Sequence, residues 1–191
     1  MSPHQLTLFD PPPDTAPAGL AYAPELITPE AETELVQRLA ALPLQPFAFH
    51  GWEGKRRVCS FGWRYDFSAA RLQAAEPLPD FLQPLCAAAA GFAGLPPEAF
   101  VHALVTEYAP GAGIGWHRDR PVFGEVVGVS LASPCVLRFR RSSDAGWSRH
   151  SLTAEPRSAY HLTGPARTEW EHSIATVGAL RYSVTFRTLA G

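Results

Sequence analysis

From Glu107 to Asp119 the chain reads Glu-Tyr-Ala-Pro-Gly-Ala-Gly-Ile-Gly-Trp-His-Arg-Asp, and this stretch limits what the remainder can build. His117 and Asp119 stand two residues apart. In an extended segment, residues i and i+2 project from the same face. One imidazole and one carboxylate then point at a common place, which is how a protein begins a metal site. The chain has to supply a second His from elsewhere, and something to hold whatever works beside the metal.

Hydrophobic patterning divides the chain in two. After residue 97 it breaks into short runs punctuated by Gly and Pro, which read as strands over Val101–Tyr108, Val126–Leu131, Cys135–Arg141, Ser158–Leu162, Ser173–Val177 and Arg181–Arg187. Several short strands in succession suggest a sandwich or barrel, and there is no internal repeat. Before residue 97, a helix is expected from Thr28, with Pro29 at its first position, Glu30 and Glu32 in its first turn, and Pro43 as its stop. A second helix fits Asp80–Phe92, with Pro84 in its first turn and Gly91 or Gly94 at its end. Leu20–Tyr22 reads as a short strand. Residues 1–19, with Pro11-Pro12-Pro13 inside, read as a flexible Pro-rich tail, and residues 20–191 as one domain. The class is α+β, mainly β.

Composition narrows the function by exclusion. The net charge of −2 gives no general basic field to attract nucleic acid. No apolar run approaches the roughly 20 residues that span a bilayer, and no signal peptide is apparent, so no membrane role is expected. Three scattered cysteines, Cys59, Cys86 and Cys135, read as thiols in a reducing compartment, the cytoplasm. The cations are uneven: one Lys stands against 15 Arg. Coding bias produces such a ratio, and so does a need to grip carboxylates or phosphates in two-pronged fashion.

His172 is the best remaining candidate for the missing ligand because of the run that begins nine residues downstream. In Arg181-Tyr-Ser-Val-Thr-Phe-Arg187, Tyr182, Val184 and Phe186 alternate with Arg181, Ser183, Thr185 and Arg187. A strand with one polar face usually turns it to water. Two Arg with two hydroxyls between them also suit a cavity that holds a dianion, such as the dicarboxylate 2-oxoglutarate. With His117, Asp119 and His172 present, the cavity reading is preferred. Two His and one carboxylate with positions left open are the ligand set of non-heme Fe(II) oxygenases.

The runs Tyr108-Ala-Pro-Gly-Ala, Trp116-His-Arg-Asp119, Val129-Ser-Leu131, Thr163-Gly-Pro-Ala-Arg167, His172-Ser-Ile174 and Arg181 to Arg187 together resemble the AlkB family of Fe(II)/2-oxoglutarate-dependent dioxygenases. The resemblance covers about Lys55 to Arg187. It implies a double-stranded β-helix, or jelly roll, with supporting helices packed on one side. It implies that His117, Asp119 and His172 bind Fe(II), and that Arg181 and Arg187 take the two carboxylates of 2-oxoglutarate. Tyr108 would hydrogen-bond this co-substrate, with O₂ as the other. Thr106 and Ser183 stand where such proteins often have Asn, and each keeps a hydrogen-bonding group beside the co-substrate. Arg120-Pro121 departs from the pattern, because the DNA-repairing members tend to be acidic just after the iron-binding Asp.

The same resemblance places residues 47–68 where AlkB-like proteins hold a flipped base. This segment is aromatic and basic, a combination suited to stacking bases and meeting phosphates. Tyr65, Trp63 and Phe67 are the candidate base contacts, although alternating aromatics also build cores. Arg57, Arg64 and Arg141 are the candidate phosphate contacts. The expected activity is oxidative dealkylation of alkylated DNA or RNA bases by a monomer. The alternatives are a hydroxylase or demethylase acting on tRNA or protein, and a non-catalytic binding module.

Overall fold

The computed structural model describes residues 16–49, 52–66, 71–144 and 146–191. The first half contains β1 (Leu20–Ala23), α1 (Pro29–Ala40), β2 (Gln45–Phe49), β3 (Trp52–Asp66), β4 (Arg71–Ala74) and α2 (Gln83–Ala93). Then come β5 (His102–Tyr108), β6 (Ile114–His117), β7 (Phe123–Leu131), β8 (Cys135–Ser143) and β9 (Gly146–Ala154). The chain closes with β10 (Ala159–Leu162), α3 (Gly164–Thr168), β11 (Glu171–Ile174) and β12 (Arg181–Leu189).

Local chemistry explains the helix ends. The Thr28 hydroxyl accepts a hydrogen bond from the Ala31 amide at 3.3 Å and Pro29 opens α1, as the sequence implies. The helix stops at Ala40, three residues short of Pro43. A 3₁₀ turn over Asp80–Leu82 leads into α2, which ends on Gly94 at φ 68°. Only glycine adopts that left-handed cap without strain.

The strands form two antiparallel sheets. The larger has the order β1-β10-β7-β12-β5-β3-β2, with β4 joined to β3; the smaller has the order β6-β11-β8-β9. Together they make a double-stranded β-helix. One hydrophobic cluster lies between the larger sheet and the helices, joining Leu35 and Leu39 of α1 and Leu85 and Ala89 of α2 to Val105, Val127, Tyr182, Val184 and Phe186. A second lies between the sheets, joining Tyr108, Val126, Tyr160 and Leu162 to Leu137, Phe139 and Ile174.

Strand β3 changes partner along its length. Arg56 to Gly62 pair with β5, and Trp63 to Asp66 pair with β4. The switch falls at Gly62, whose φ is +76° and whose missing Cβ would stand 2.2 Å from the Val101 carbonyl oxygen. Any other residue collides there.

Strand β12 settles the question left open by its alternation. Its two faces are both covered: Tyr182, Val184 and Phe186 join the helix-side core, while Arg181, Ser183, Thr185 and Arg187 are also buried. The polar face therefore looks into the space between the sheets. The structure also holds strands β6 and β9, which the sequence pattern does not reveal, and puts β11 at Glu171–Ile174 in place of Ser173–Val177. Among the described residues, Ala18 and Gly19 offer carbonyls to the amides of Ala166 and Thr163, which ties them to α3; residues 1–15 lie outside the description.

Phe186 is 1% exposed and packs its ring 5.5 Å from Phe100 at the centre of the helix-side core. Phe186→Ala is expected to cost about 3–5 kcal/mol in urea unfolding. A loss below about 1 kcal/mol would contradict this packing.

Candidate metal and co-substrate site

Strand pairing brings the distant ligand candidates together. His117 ends β6, and β11 sets His172 directly opposite it, with ring centroids 4.3 Å apart. Asp119 lies two residues beyond β6. One ligand atom from each of His117, Asp119 and His172 lies within 4.8 Å of the others. That donor set, two imidazoles and one carboxylate, suits Fe(II) with positions left open.

The neighbours fix each donor. His117 Nδ1 lies 2.9 Å from the Gly115 carbonyl oxygen. A carbonyl only accepts, so Nδ1 carries the proton and Nε2 keeps its lone pair. Nε2 is the atom that faces Asp119 Oδ1, at 3.6 Å. Arg187 donates from Nε to Asp119 Oδ2 at 2.9 Å, leaving Oδ1 toward the imidazoles. Arg187 Nη1 also meets His102 Nδ1 at 3.1 Å, and the His102 ring stacks on Phe123 at 4.9 Å.

Burial and charge set the protonation of this cluster. Burial would raise the Asp119 pKa, but the Arg187 guanidinium opposes it and holds the carboxyl well below the usual carboxylate range. Burial, with His117 beside it, pushes His172 down to about 3. Burial and Arg187 likewise push His102 down to about 3. At neutral pH the cluster is one carboxylate with neutral imidazoles at positions 102 and 172; His172 keeps a lone pair for a metal, while His102 Nδ1 accepts from Arg187 Nη1.

Beyond Asp119 the chain turns over residues 119–124, and a buried arginine holds the turn. Arg167 donates to the carbonyls of Asp119 (3.3 Å), Arg120 (2.7 Å), Phe123 (2.6 Å) and Gly124 (2.7 Å). Four backbone acceptors satisfy a charge that would otherwise be costly to bury. Arg167 positions the turn that carries Asp119.

The polar face of β12 continues the site along the larger sheet. Arg181 is 0% exposed; its Nε donates to Ser130 Oγ at 3.1 Å, and its guanidinium lies over the Tyr108 ring at 4.7 Å. Its Nη1 and Nη2 are buried and, among the described residues, have no hydrogen-bond partner. Two orphaned donors on a buried cation are costly, on the order of several kcal/mol, unless a ligand completes them. A carboxylate matches that fork in two-pronged fashion. Thr106, Ser183 and Ser130 stand side by side across β5, β12 and β7, adding three buried hydroxyls. The residues present therefore fit a metal ion and a dicarboxylate next to one another.

The base and phosphate candidates meet a mixed outcome. Trp63 is exposed at 43%, on the part of β3 that pairs with β4. Tyr65 lies on the same strand, but its side chain, like that of Arg64, falls outside the description, and Phe67 falls outside the described residues. Arg57 and Arg141, both candidate phosphate contacts, are already paired within the fold. Arg57 binds Glu107 through two 2.8 Å bonds, and Arg141 meets Glu169 at 2.7 Å. Such half-exposed pairs are weak, so a phosphate can compete for either guanidinium.

Sequence reasoning gave no role to His102, Ser130 or Arg167. Ser130 and Arg167 lie inside quoted motifs, which marked them without saying what they touch. His102 is one of seven His and carried no signal.

Fold and donor set together define an iron-dependent oxygenase of the jelly-roll type, and comparison with known proteins agrees. The sequence pattern of the 2OG-Fe(II) oxygenase superfamily matches residues 19–187. The chain belongs to that superfamily and is AlkB-like within it. It is 28% identical over 182 residues to the alkylated DNA repair protein ALKBH8 homolog of Arabidopsis thaliana, covering 82% of this chain and 50% of that protein. It is 33% identical over 118 residues to the alpha-ketoglutarate-dependent dioxygenase AlkB of Salmonella typhimurium, covering 54% of this chain and 51% of that protein. The chain thus spans about half the length of these curated relatives. Among solved structures, OsALKBH1 matches with TM-score 0.66 and 16% identity over 91% of this chain and 98% of that one. A Pseudomonas putida prolyl-4-hydroxylase matches with TM-score 0.61 and 15% identity over 90% and 93%. Both show the shared fold. Fe(II), 2-oxoglutarate and O₂ are the cofactor and co-substrates of the superfamily.

A pH dependence arises from the buried imidazoles. His172 and His102 take up a proton near 6.5 when unfolded but only near 3 when folded. Between those values the unfolded chain holds more protons, so stability rises with pH. The metal-free protein is expected to lose stability steadily as pH falls from about 6.5 toward 3, with Asp119 adding its loss only below 3.8. Calorimetric melting of the apo protein across that window checks this, and a flat Tm from 6.5 to 4 would contradict it.

Proposed function

We propose that this chain is a Fe(II)- and 2-oxoglutarate-dependent dioxygenase that oxidatively removes alkyl groups from nucleic-acid bases. The observation that carries the reading is the juxtaposition of two features. His117, Asp119 and His172 converge within 4.8 Å, and a fully buried arginine with two unbonded nitrogens lies on the same inner face as Arg187, which grips Asp119. The relatives named for alkylated DNA repair and for AlkB support the choice of substrate.

His117, Asp119 and His172 hold the iron, with Nε2 of His117 presented by the Gly115 carbonyl. Arg181 clamps the far carboxylate of 2-oxoglutarate, with Tyr108 against it and Thr106 and Ser183 alongside. Arg187 orients Asp119 and faces the co-substrate's other carboxylate. Bound iron with 2-oxoglutarate and O₂ supplies the oxidation of a C–H bond, yielding succinate and CO₂. When the carbon is an N-methyl group, the product releases formaldehyde. The walls of the jelly roll exclude water, and exposed Trp63 on β3 offers a face on which a base can stack, with Tyr65 and Phe67 further along the same segment.

We read residues 20–191 as a single monomeric domain preceded by a Pro-rich tail. A cytoplasmic setting suits the three free cysteines, and no described helix is long and apolar enough to cross a membrane. One feature favours a second reading, in which the same iron chemistry acts on tRNA or protein: Arg120 stands where an acidic residue helps the DNA-repairing relatives read a base.

Protein loaded with Fe(II) and 2-oxoglutarate is expected to release formaldehyde from at least one of a panel of methylated DNA and RNA oligonucleotides, read by mass spectrometry. Asp119→Ala should abolish the release. Succinate formed with cell extract but with no oligonucleotide in the panel would overturn base dealkylation and select the second reading.

A further inference from the structure

The outer face of the smaller sheet carries a row of arginine and tryptophan side chains to which the iron and co-substrate contacts assign no part. In β11 His172 turns inward to the metal site, so Glu171 and Ser173 on either side of it turn outward. Their cross-strand partners in β8 are Arg140 and Arg138. These in turn lie opposite Arg149 and Ser151 of β9, and Trp147 of β9 lies opposite Ser142. Trp116 of β6, next to inward-facing His117, joins the same face. The row therefore lies on the back of the sheet, away from the space between the sheets.

These side chains form one ladder. The Arg140 guanidinium is sandwiched between two indoles, 4.5 Å from the Trp116 ring and 4.7 Å from that of Trp147. Arg138 lies over Trp116 at 5.3 Å. Glu171 accepts a 2.6 Å bond from Arg140 Nε, and Ser173 Oγ accepts from Arg138 Nε at 3.1 Å, which fixes both rungs. Arg140 covers one side of the Trp147 ring, yet Trp147 stays 46% exposed on the edge strand of the sheet.

Charge on this face is unbalanced. Arg140 and Arg149 stand directly opposite one another, a like-charge pair that works against strand pairing. Glu171 is the one carboxylate at an outward position of the four strands, and Arg140 takes it. Among the described residues the Arg149 side chain makes no ion pair. Charges on an edge strand guard against edge-to-edge aggregation. That duty requires neither a large exposed indole nor three cations against one anion, on a chain whose net charge is −2. Cations set between aromatic faces suit a phosphate backbone and the bases that hang from it.

We propose that the outer face of the smaller sheet is a docking surface for single-stranded nucleic acid. A base stacks on the side of Trp147 that Arg140 leaves open, and Arg149 and Arg138 meet the phosphates beside it. The inference rests on the nucleic-acid reading of the substrate and adds to it a binding face outside the metal pocket.

The test is fluorescence anisotropy with a labelled, unmethylated oligothymidylate about 15 nucleotides long. Trp147→Ala is expected to weaken binding roughly tenfold, the effect of one lost base stack. Arg149→Gln should lower the slope of log affinity against log salt by about 0.7, the effect of one lost phosphate contact. Asp119→Ala, altered in the metal pocket, should bind within about twofold of the original protein. Polyglutamate should not displace the oligonucleotide. Binding unchanged in both Trp147→Ala and Arg149→Gln, or no binding by the unaltered protein, would overturn the inference. Displacement by polyglutamate as effective as by unlabelled oligothymidylate would also overturn it, and would assign the face to an acidic protein. Base dealkylation is read separately by formaldehyde release, so that reading can stand when this surface fails, and its failure leaves the anisotropy result to be read by itself.

Discussion

The register between β6 and β11 governs the whole site. It sets His172 opposite His117, although the two lie 55 positions apart in the sequence. Side chains alternate faces along a strand, so a slip of one residue would turn His172 to the outer surface and leave the other two donors alone. The pairing of β11 with β8 guards against that slip: it sets His172 beside Phe139 and Ile174 beside Leu137, and Phe139, Leu137 and Ile174 all lie in the core between the sheets. The metal geometry is thus a by-product of apolar packing. A metal ion arriving there would find its three candidate donors already held in place by the sheets.

Charge completes what register begins. Arg167, Arg181 and Arg187 are all buried, and Asp119 is the carboxylate that faces this group. Arg167 is solvated by four carbonyls and Arg187 is paired with Asp119, which leaves Arg181 as the one of the three with unbonded nitrogens among the described residues. A buried charge without a partner is costly, and a carboxylate bound from outside would offset that cost. The interior thus fits an acid at Arg181 and a cation beside the neutral His172 imidazole.

Much of this was legible in the sequence, and for identifiable reasons. His117 and Asp119 share a direction because β6 is extended. The alternation in β12 separates an apolar helix-facing set from a polar set, and α1 begins at Thr28 where its capping chemistry says it should. What the sequence could not give is pairing between distant side chains. Nothing local to Arg57 says that Glu107 holds it, and nothing local to His102 says that Arg187 reaches it. Strand β6 is short and Gly-containing, and β9 is largely polar on an open edge, so neither carries an apolar period. In β3 the aromatic alternation at Trp63 was visible, but the change of partner at Gly62 depends on the backbone of Val101, far along the chain.

The most direct test of the account is an equilibrium titration with Mn(II), a redox-inert stand-in for Fe(II), with and without 2-oxoglutarate. One metal ion per chain is expected, tightened by 2-oxoglutarate, with metal binding lost in His172→Ala. In Arg181→Met the metal should bind as before while the tightening disappears. Metal binding that survives His172→Ala, or tightening that survives Arg181→Met, would contradict it.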